Sequence, residues 1–230
     1  MTITLYELCG ADESHLFSPH CWKTRMSLAH KGLDFQSVST AFTEVPKIEG
    51  GVTKSVPLIK DGDTVLGDSY EIAKYLEKAY PDTPSLFGGD GGMALTNFVI
   101  NWSQSQLHPL IGALAMKDIH DILADVDQTY FREDREAKIK MTLEQLHDGR
   151  EAKVAMLNKA LLPLKLMLKT QPYIGGDAPL FADYVVFGAL QWMRMTCTIS
   201  VLSDEGDIAD WFNRLLDMYD GMGRSAKAAA

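Results

Sequence analysis

Two short stretches of this 230-residue chain carry side chains whose types and spacing suit chemistry. The first is Ser18-Pro19-His20-Cys21. Serine followed by proline is the pattern of a helix N-cap followed by the favoured first helical residue. Such a serine accepts a hydrogen bond from the helix while its own O–H remains free to donate to a reacting group. The second is Asp68-Ser69-Tyr70-Glu71, where Asp68 and Glu71 stand at capping-box spacing. A helix start of this kind offers backbone amides and a hydroxyl to a carboxylate. Both stretches also read as plain helix caps, and the two roles are compatible.

Cys21 follows Ser18 at the spacing of a Cys-x-x-Cys dithiol whose first member is serine, so dithiol chemistry is not expected and Cys21 reads as buried. Cys9 is a candidate free thiol without an identifiable partner. With Cys197, the cysteines are too few and too scattered for a disulfide framework and lack zinc-ligand spacing, which points to a reducing compartment.

Strand and helix periods supply the elements that must position these residues. Thr2–Leu8 reads as a strand, residues 18–31 as a helix with Trp22, Met26 and Ala29 on one face, and Phe35–Ser39 as a second strand. Val56–Lys60 and Thr64–Leu66 flank the turn sequence Asp61-Gly62-Asp63 and read as a hairpin. Ser69–Tyr80 is an amphipathic helix carrying Ile72, Tyr75, Leu76 and Ala79. The order β-α-β-(α)-β-β-α implies a mixed sheet with helices against it. Pro81, Pro84 and the glycines of residues 88–92 punctuate the chain, so the expected division is 1–82, a linker at 83–92, a helical unit at 93–222 and a tail at 223–230.

In the helical unit, Leu95, Phe98, Val99 and Trp102 share a face, which Leu107, Leu110, Ile111 and Leu114 continue past a kink expected at Pro109. Arg132–Lys140 reads as a solvated helix face. Val154, Leu157, Leu161, Leu164 and Leu168 form a further stripe with Pro163 inside it. Residues 181–199 and 207–220 complete the helices, and Ala226–Ala230 reads as a frayed end.

Across residues 2–222 these motifs resemble the cytosolic glutathione transferases. Ile3-Thr4-Leu5-Tyr6 is similar to the family's first strand, and Ser18-Pro19-His20-Cys21-Trp22-Lys23-Thr24-Arg25 to the start of its first helix. Ser55-Val56-Pro57-Leu58-Ile59 is similar to the segment bearing the family's cis-proline. Asp68-Ser69, followed by Ile72-Ala73-Lys74-Tyr75-Leu76, resembles the acidic–serine pair that opens its third helix. Tyr173-Ile174-Gly175-Gly176-Asp177 and Phe181-Ala182-Asp183-Tyr184 resemble the helix-start motif of its C-terminal domain. Leu180 departs from that motif, standing where the family usually has Ser, Thr or Asn, and Asp183 is read as structural. Ser-Pro-x-x-Trp-Lys-Thr more narrowly resembles the bacterial lignin β-etherases and their fungal etherase-like relatives.

The resemblance implies an α+β thioredoxin-like N-terminal domain with a mixed four-stranded sheet, then an all-α C-terminal domain, assembled as a homodimer. It implies glutathione as a consumed co-substrate and no metal. Ser18 would hold the glutathione thiolate, and Val56, ahead of a cis Pro57, would pair its backbone with the cysteinyl unit. Ser69 would take the γ-glutamyl carboxylate, Asp68 its ammonium group, and Lys47 or Lys54 the glycyl carboxylate. Tyr6 is the rival thiolate contact, because other transferase classes place a tyrosine near the end of the first strand; its plain reading is strand packing. His15, Trp22, Trp102 and Met116, with Trp192, are candidates for an aromatic electrophile's pocket, although such residues at helical spacing are more often core.

A free thiol is only a few per cent ionised near neutrality, and lowering its pKa by about two units takes roughly 2.7 kcal/mol. A hydrogen bond to a charged acceptor supplies about 1.5–3 kcal/mol and a helix N-terminus about 0.3–1. One well-placed hydroxyl at a helix start therefore nearly suffices. The implied reaction is thiolate substitution at an electrophilic carbon, with an α-aryloxy ketone losing a phenol as the etherase-like case, in lignin degradation or detoxification. A thiol transferase or peroxidase using Cys9 or Cys21, and a non-catalytic carrier of aromatic molecules, are the alternatives.

Composition narrows the field. Hydrophobic residues at 46% and charged residues at 23% describe an ordinary globular core. A net charge of −9, from 31 acidic and 22 basic residues, argues against nucleic acid, which requires clustered Lys and Arg. No apolar run approaches the ~20 residues of a membrane-spanning helix. The opening Met-Thr-Ile-Thr-Leu-Tyr lacks a basic segment followed by a long apolar one, so a cytoplasmic protein is expected.

Overall fold

A computed structural model describes residues 2–229; Met1, assigned above to the first domain, and Ala230, assigned to the tail, lie outside the described residues. The N-terminal unit runs β1 (Ile3–Leu8), α1 (Pro19–His30), β2 (Phe35–Thr40), a 3-10 segment at Val45–Gly50, β3 (Leu58–Asp61), β4 (Thr64–Gly67) and α2 (Ser69–Ala79). The sheet order is β2-β1-β3-β4, with β1 parallel to β2 and the other pairs antiparallel. This is the mixed sheet that the element order implies. Asp61 pairs with Thr64, leaving a two-residue loop whose first member, Gly62, sits at φ 57, a conformation glycine adopts without strain.

Alternation along β1 places Ile3, Leu5 and Glu7 on one buried face. Glu7 is accommodated there because Arg25 of α1 meets it; Arg25 also donates to Ser37 Oγ of β2 at 2.8 Å. One guanidinium thus ties α1 to two strands. Helix α1 is buried on nearly every side, Cys21, Trp22, Lys23, Thr24, Met26, Ser27 and Leu28 all being covered. Its other cover comes from the helical unit, where Trp22 packs edge-on against Phe187.

That unit comprises α3 (Asp90–Trp102), α4 (His108–Asp121), α5 (Asp125–Ile139), α6 (Leu143–His147), α7 (Arg150–Ala160), α8 (Leu162–Met167), α9 (Phe181–Thr196) and α10 (Asp207–Ser225). The kink expected at Pro109 takes the form of a π-helical turn at Ser103–Leu107, which ends just before His108-Pro109. Proline cannot donate to the carbonyl four residues back, and a wide turn accommodates the lost bond. Pro163 likewise separates α7 from α8. Among the described residues, no helix is long and apolar enough to cross a membrane.

Helix α9 is the central post, buried along almost its whole length. Leu180 has no side-chain oxygen with which to cap it, and Asp183 takes over. Its Oδ1 accepts from Ile174 N at 2.8 Å and Trp211 Nε1 at 2.9 Å, and its Oδ2 from Gly175 N at 2.9 Å and Leu180 N at 3.0 Å. Four donors committed to one buried carboxylate make Asp183 a structural residue.

A chain of hydrogen bonds joins the two halves. His30 Nε2 lies 3.1 Å from Ser85 O, which can only accept, so Nε2 carries the proton and Nδ1 accepts from Tyr184 OH at 2.7 Å. Tyr184 in turn accepts from Tyr219 OH at 2.6 Å. The frayed tail expected at 226–230 is not found for 226–229: Arg194 Nη1 donates to Ala226 O at 2.9 Å and Ala229 N to Arg194 O at 3.0 Å.

Candidate functional site

A cleft of about 420 Å³ opens between the two halves. Ser18, Pro19 and His20 at the start of α1, with Lys54, Ser55 and Val56, form one wall; His108, Met116, Trp192 and the face of α5 at Tyr130–Lys138 form the other.

Ser18 stands as the N-cap of α1 in extended conformation, with Pro19 as the first helical residue. It is only 4% exposed, and its Oγ accepts from Cys21 N at 3.4 Å. A bond that long is a weak cap, leaving the hydroxyl available to a cleft ligand. Val56-Pro57 is cis, Pro57 is buried, and Val56 faces the cleft just ahead of β3. Asp68 caps α2 through Oδ1, which accepts from Tyr70 N at 2.8 Å and Glu71 N at 3.1 Å. Its φ of 67 is uncommon for a residue with a Cβ, so this corner is held in a strained conformation beside the buried Ser69.

The structure therefore brings Ser18, Val56 and Lys54 to one cleft, with Asp68 and Ser69 at the adjoining helix start and outside the cleft lining. Lys47 is not part of it: 66% exposed, it pairs with Glu44 at 2.6 Å. Tyr6 is directed elsewhere, its OH donating to Glu49 Oε1 at 2.5 Å; that bond and burial push its pKa to about 12. Of the residues considered for an electrophile pocket, Met116 and Trp192 line the cleft. His15 is turned away, Nε2 donating to Met195 O at 2.9 Å, and Trp22 lies beneath, Nε1 donating to Leu16 O at 2.8 Å. Trp102, on α3, is absent from the lining.

The cysteines are buried and free. Burial is the main reason that the Cys9 thiol is pushed up to about 11 and the Cys21 thiol to about 12, with Glu7 adding to the latter and Ser18 partly offsetting it. Both are neutral thiols at physiological pH, and Cys21 is buried, as expected.

Several residues escaped the sequence reading. Arg132–Lys140 is not simply a solvated face, because Arg135 and Lys138 line the cleft. The Arg135 guanidinium lies 4.9 Å from the Phe131 ring centroid and 6.0 Å from that of Phe42, another cleft residue. The helical repeat Phe131, Arg135, Lys138 was the available signal. His20 and His108 were also missed. Their rings stack at 5.4 Å and 22°, and His20 Nδ1 lies 3.1 Å from Lys23 Nζ. His108 Nδ1 donates to Ser103 O at 3.1 Å, and burial, reinforced by the charge of Lys23, holds its pKa down at about 4. Among the described residues, no group of three or more His, Cys, Asp or Glu is placed to hold a metal ion.

A thioredoxin-like sheet carrying a serine-capped helix and a cis-proline beside an all-helical partner defines a class. Residues 14–84 match the glutathione S-transferase N-terminal domain, and residues 94–218, more than half of the chain, match the glutathione S-transferase C-terminal domain. The chain belongs to the glutathione S-transferase family. Among curated relatives it is 27% identical to glutathione S-transferase 1 of Dianthus caryophyllus over 206 residues, covering 84% of this chain and 93% of that one. Glutathione S-transferase Z1 of Arabidopsis thaliana is 33% identical over 69 residues, 28% of this chain and 31% of the relative, so that match spans about a third of its length. Among solved structures, glutathione transferase GSTFuA3 of Phanerochaete chrysosporium is 25% identical with a TM-score of 0.77, covering 98% of this chain and 94% of that one. The glutathione complex of CsGST83044 from Ceriporiopsis subvermispora has the same fold, with a TM-score of 0.81 at 21% identity and coverage of 96% and 98%.

Proposed function

We propose that this protein is a cytoplasmic, homodimeric glutathione transferase in which Ser18 holds the glutathione thiolate for attack on an aromatic electrophile, cleaving β-aryl ethers. The observation that carries this reading is Ser18 itself: a loosely engaged hydroxyl at a helix N-terminus, on the wall of a cleft whose far side carries Met116, Tyr130, Phe131 and Trp192 beside the charged Arg135 and Lys138. Its O–H donates to the thiolate sulfur, and the positive end of α1 lies behind it. The Val56 backbone pairs with the cysteinyl unit as an added strand would. Asp68 and Ser69 take the γ-glutamyl ammonium and carboxylate, and Lys54 takes the glycyl carboxylate. The electrophile rests against Met116, Trp192 and Phe42. A carbon–sulfur bond forms as the carbon–oxygen bond breaks, and the leaving oxygen becomes a phenol. The two buried, neutral cysteines weigh against a thiol transferase.

The test is release of a fluorescent phenol from a coumarin-linked α-aryloxy ketone, with and without glutathione. Glutathione-dependent release is the expected result. A folded, glutathione-binding protein that releases none removes ether cleavage and leaves other electrophiles to be examined.

A further inference from the structure

We propose that His20 is a second catalytic residue, whose Nε2–H protonates the departing oxygen of the electrophile, with Lys23 behind it as the positioning residue and proton source. This rests on the Ser18 reading above and adds the other half of the reaction, the fate of the leaving group.

The geometry begins with Lys23. The residue is 2% exposed, lies one helical turn beyond His20, and its ammonium has no carboxylate within ion-pairing distance among the described residues. An ammonium only donates, so the 3.1 Å contact to His20 Nδ1 requires a lone pair on that nitrogen. The ring proton is therefore on Nε2. That nitrogen has no hydrogen-bond partner among the described residues, and His20 lines the cleft two residues from Ser18. His108 keeps the ring in place by stacking on it. Because His108 Nδ1 donates to a carbonyl, its Nε2 is a bare acceptor, buried and without a partner among the described residues, and cannot supply the proton instead.

The groups facing Lys23 are His20 on its own helix, His108 from α4 and Asp68 from the start of α2, and Gly188 of α9 lies against its side chain. Burial lowers the Lys23 pKa to about 8, opposed in part by Asp68. At neutral pH it is still protonated, yet its proton is more easily given up than that of an exposed lysine. Glutathione thiolate forms the bond to carbon, and the carbon–oxygen bond breaks with its electron pair on oxygen. That oxygen takes the Nε2 proton of His20 while Nδ1 takes one from Lys23, leaving a neutral phenol, a neutral imidazole of the other tautomer and a neutral amine. Solvent returns the proton to Lys23 before the next turnover.

The experiment compares two reactions of the same protein with glutathione. One is conjugation of 1-chloro-2,4-dinitrobenzene, whose chloride leaves without a proton. The other is cleavage of α-aryloxy ketones bearing phenols of rising pKa. In His20→Phe and Lys23→Met, the ratio of ether cleavage to chloride displacement should fall on the order of 100-fold for the least acidic phenol, the size expected of general acid catalysis, and much less for a nitrophenol. His20→Gln, which offers a donor but no relay, should fall between. In the unaltered protein, ether cleavage should decline as pH rises through about 8 while chloride displacement does not; this arm holds even if a variant misfolds. A ratio unchanged in the variants, or an equal loss for every phenol, overturns the proposal. Chloride displacement without any ether cleavage also overturns it and leaves Ser18 standing, whereas absence of both reactions removes the Ser18 reading itself.

Discussion

Gly188 of α9 lies directly against the main chain of Pro19 in α1: a Cβ at position 188 would come within 2.4 Å of the Pro19 carbonyl oxygen and 3.3 Å of Lys23 Cγ. The contact is backbone to backbone, at a point where neither helix can yield without moving the other. Gly188→Ala should lower stability by about 3 kcal/mol, at the upper end of what overpacking costs, despite the better helix propensity of alanine. Chemical denaturation of the variant beside the unaltered protein checks this; equal midpoints would mean that the helices do not meet as described.

Replacing Ser18 separates its two duties. Its cap bond is long, so Ser18→Ala should cost no more than about 1 kcal/mol of stability. Losing the donor to a thiolate removes about 1.5–3 kcal/mol, so turnover should fall roughly 10- to 100-fold. The bound thiol should titrate close to its free value, seen by following thiolate absorbance in the ultraviolet across pH. Unaltered titration would assign the thiolate to another group.

The two lysines proposed for the glycyl carboxylate differ in placement. Lys54 borders the cleft, and Lys47 pairs with Glu44 outside it. Steady-state kinetics should show Lys54→Ala raising the KM for glutathione about fivefold, in keeping with loss of one partly exposed ionic contact, and Lys47→Ala moving it less than about twofold. The reverse order would relocate the carboxylate.

Lys23 makes stability depend on pH in a predictable direction. Folded, its pKa is about 8, against an ordinary 10.5. Between those values the unfolded chain binds more protons than the folded one, so stability rises with pH across this window. Lys23→Met removes the cost of burying the charge and should stabilise the protein at pH 7 by about 3 kcal/mol at most. That advantage should shrink as pH rises from 8 towards 10.5. Denaturant melts of both proteins at pH 7 and pH 10 measure the difference, which cancels the titrations they share.

Much of the N-terminal half was legible in the sequence because its signals are local. The Ser18-Pro19 cap, the Asp61–Thr64 turn and the apolar stripe of Ser69–Ala79 each declare themselves within a dozen residues. The same holds for Asp183, whose partners Ile174, Gly175 and Leu180 are close in the chain. What could not be read was fixed by distant partners. Lys23 looks like a solvated residue until α9 covers it, since Trp22, Met26 and Ala29 mark one buried face of α1 and nothing local marks the second. His20 gains significance only beside His108, and Arg135 only beside Phe42, 93 residues earlier by numbering. Tyr6 was considered for the thiolate by its place in a strand, but its hydroxyl is claimed by Glu49, from a short 3-10 segment without a periodic signal.

The wide turn at Ser103–Leu107 has a consequence best expressed as phase. A helix is a screw, and each residue added or removed rotates everything beyond it by roughly 100°. The turn therefore sets the angular position of α4 relative to α3. Removing one residue from this polar stretch would swing His108, Met116 and Ile119 away from the cleft together, leaving both helices intact but facing the wrong way. Five unremarkable residues act as the index mark by which one long rod turns a packing side to its neighbours and a working side to the ligand.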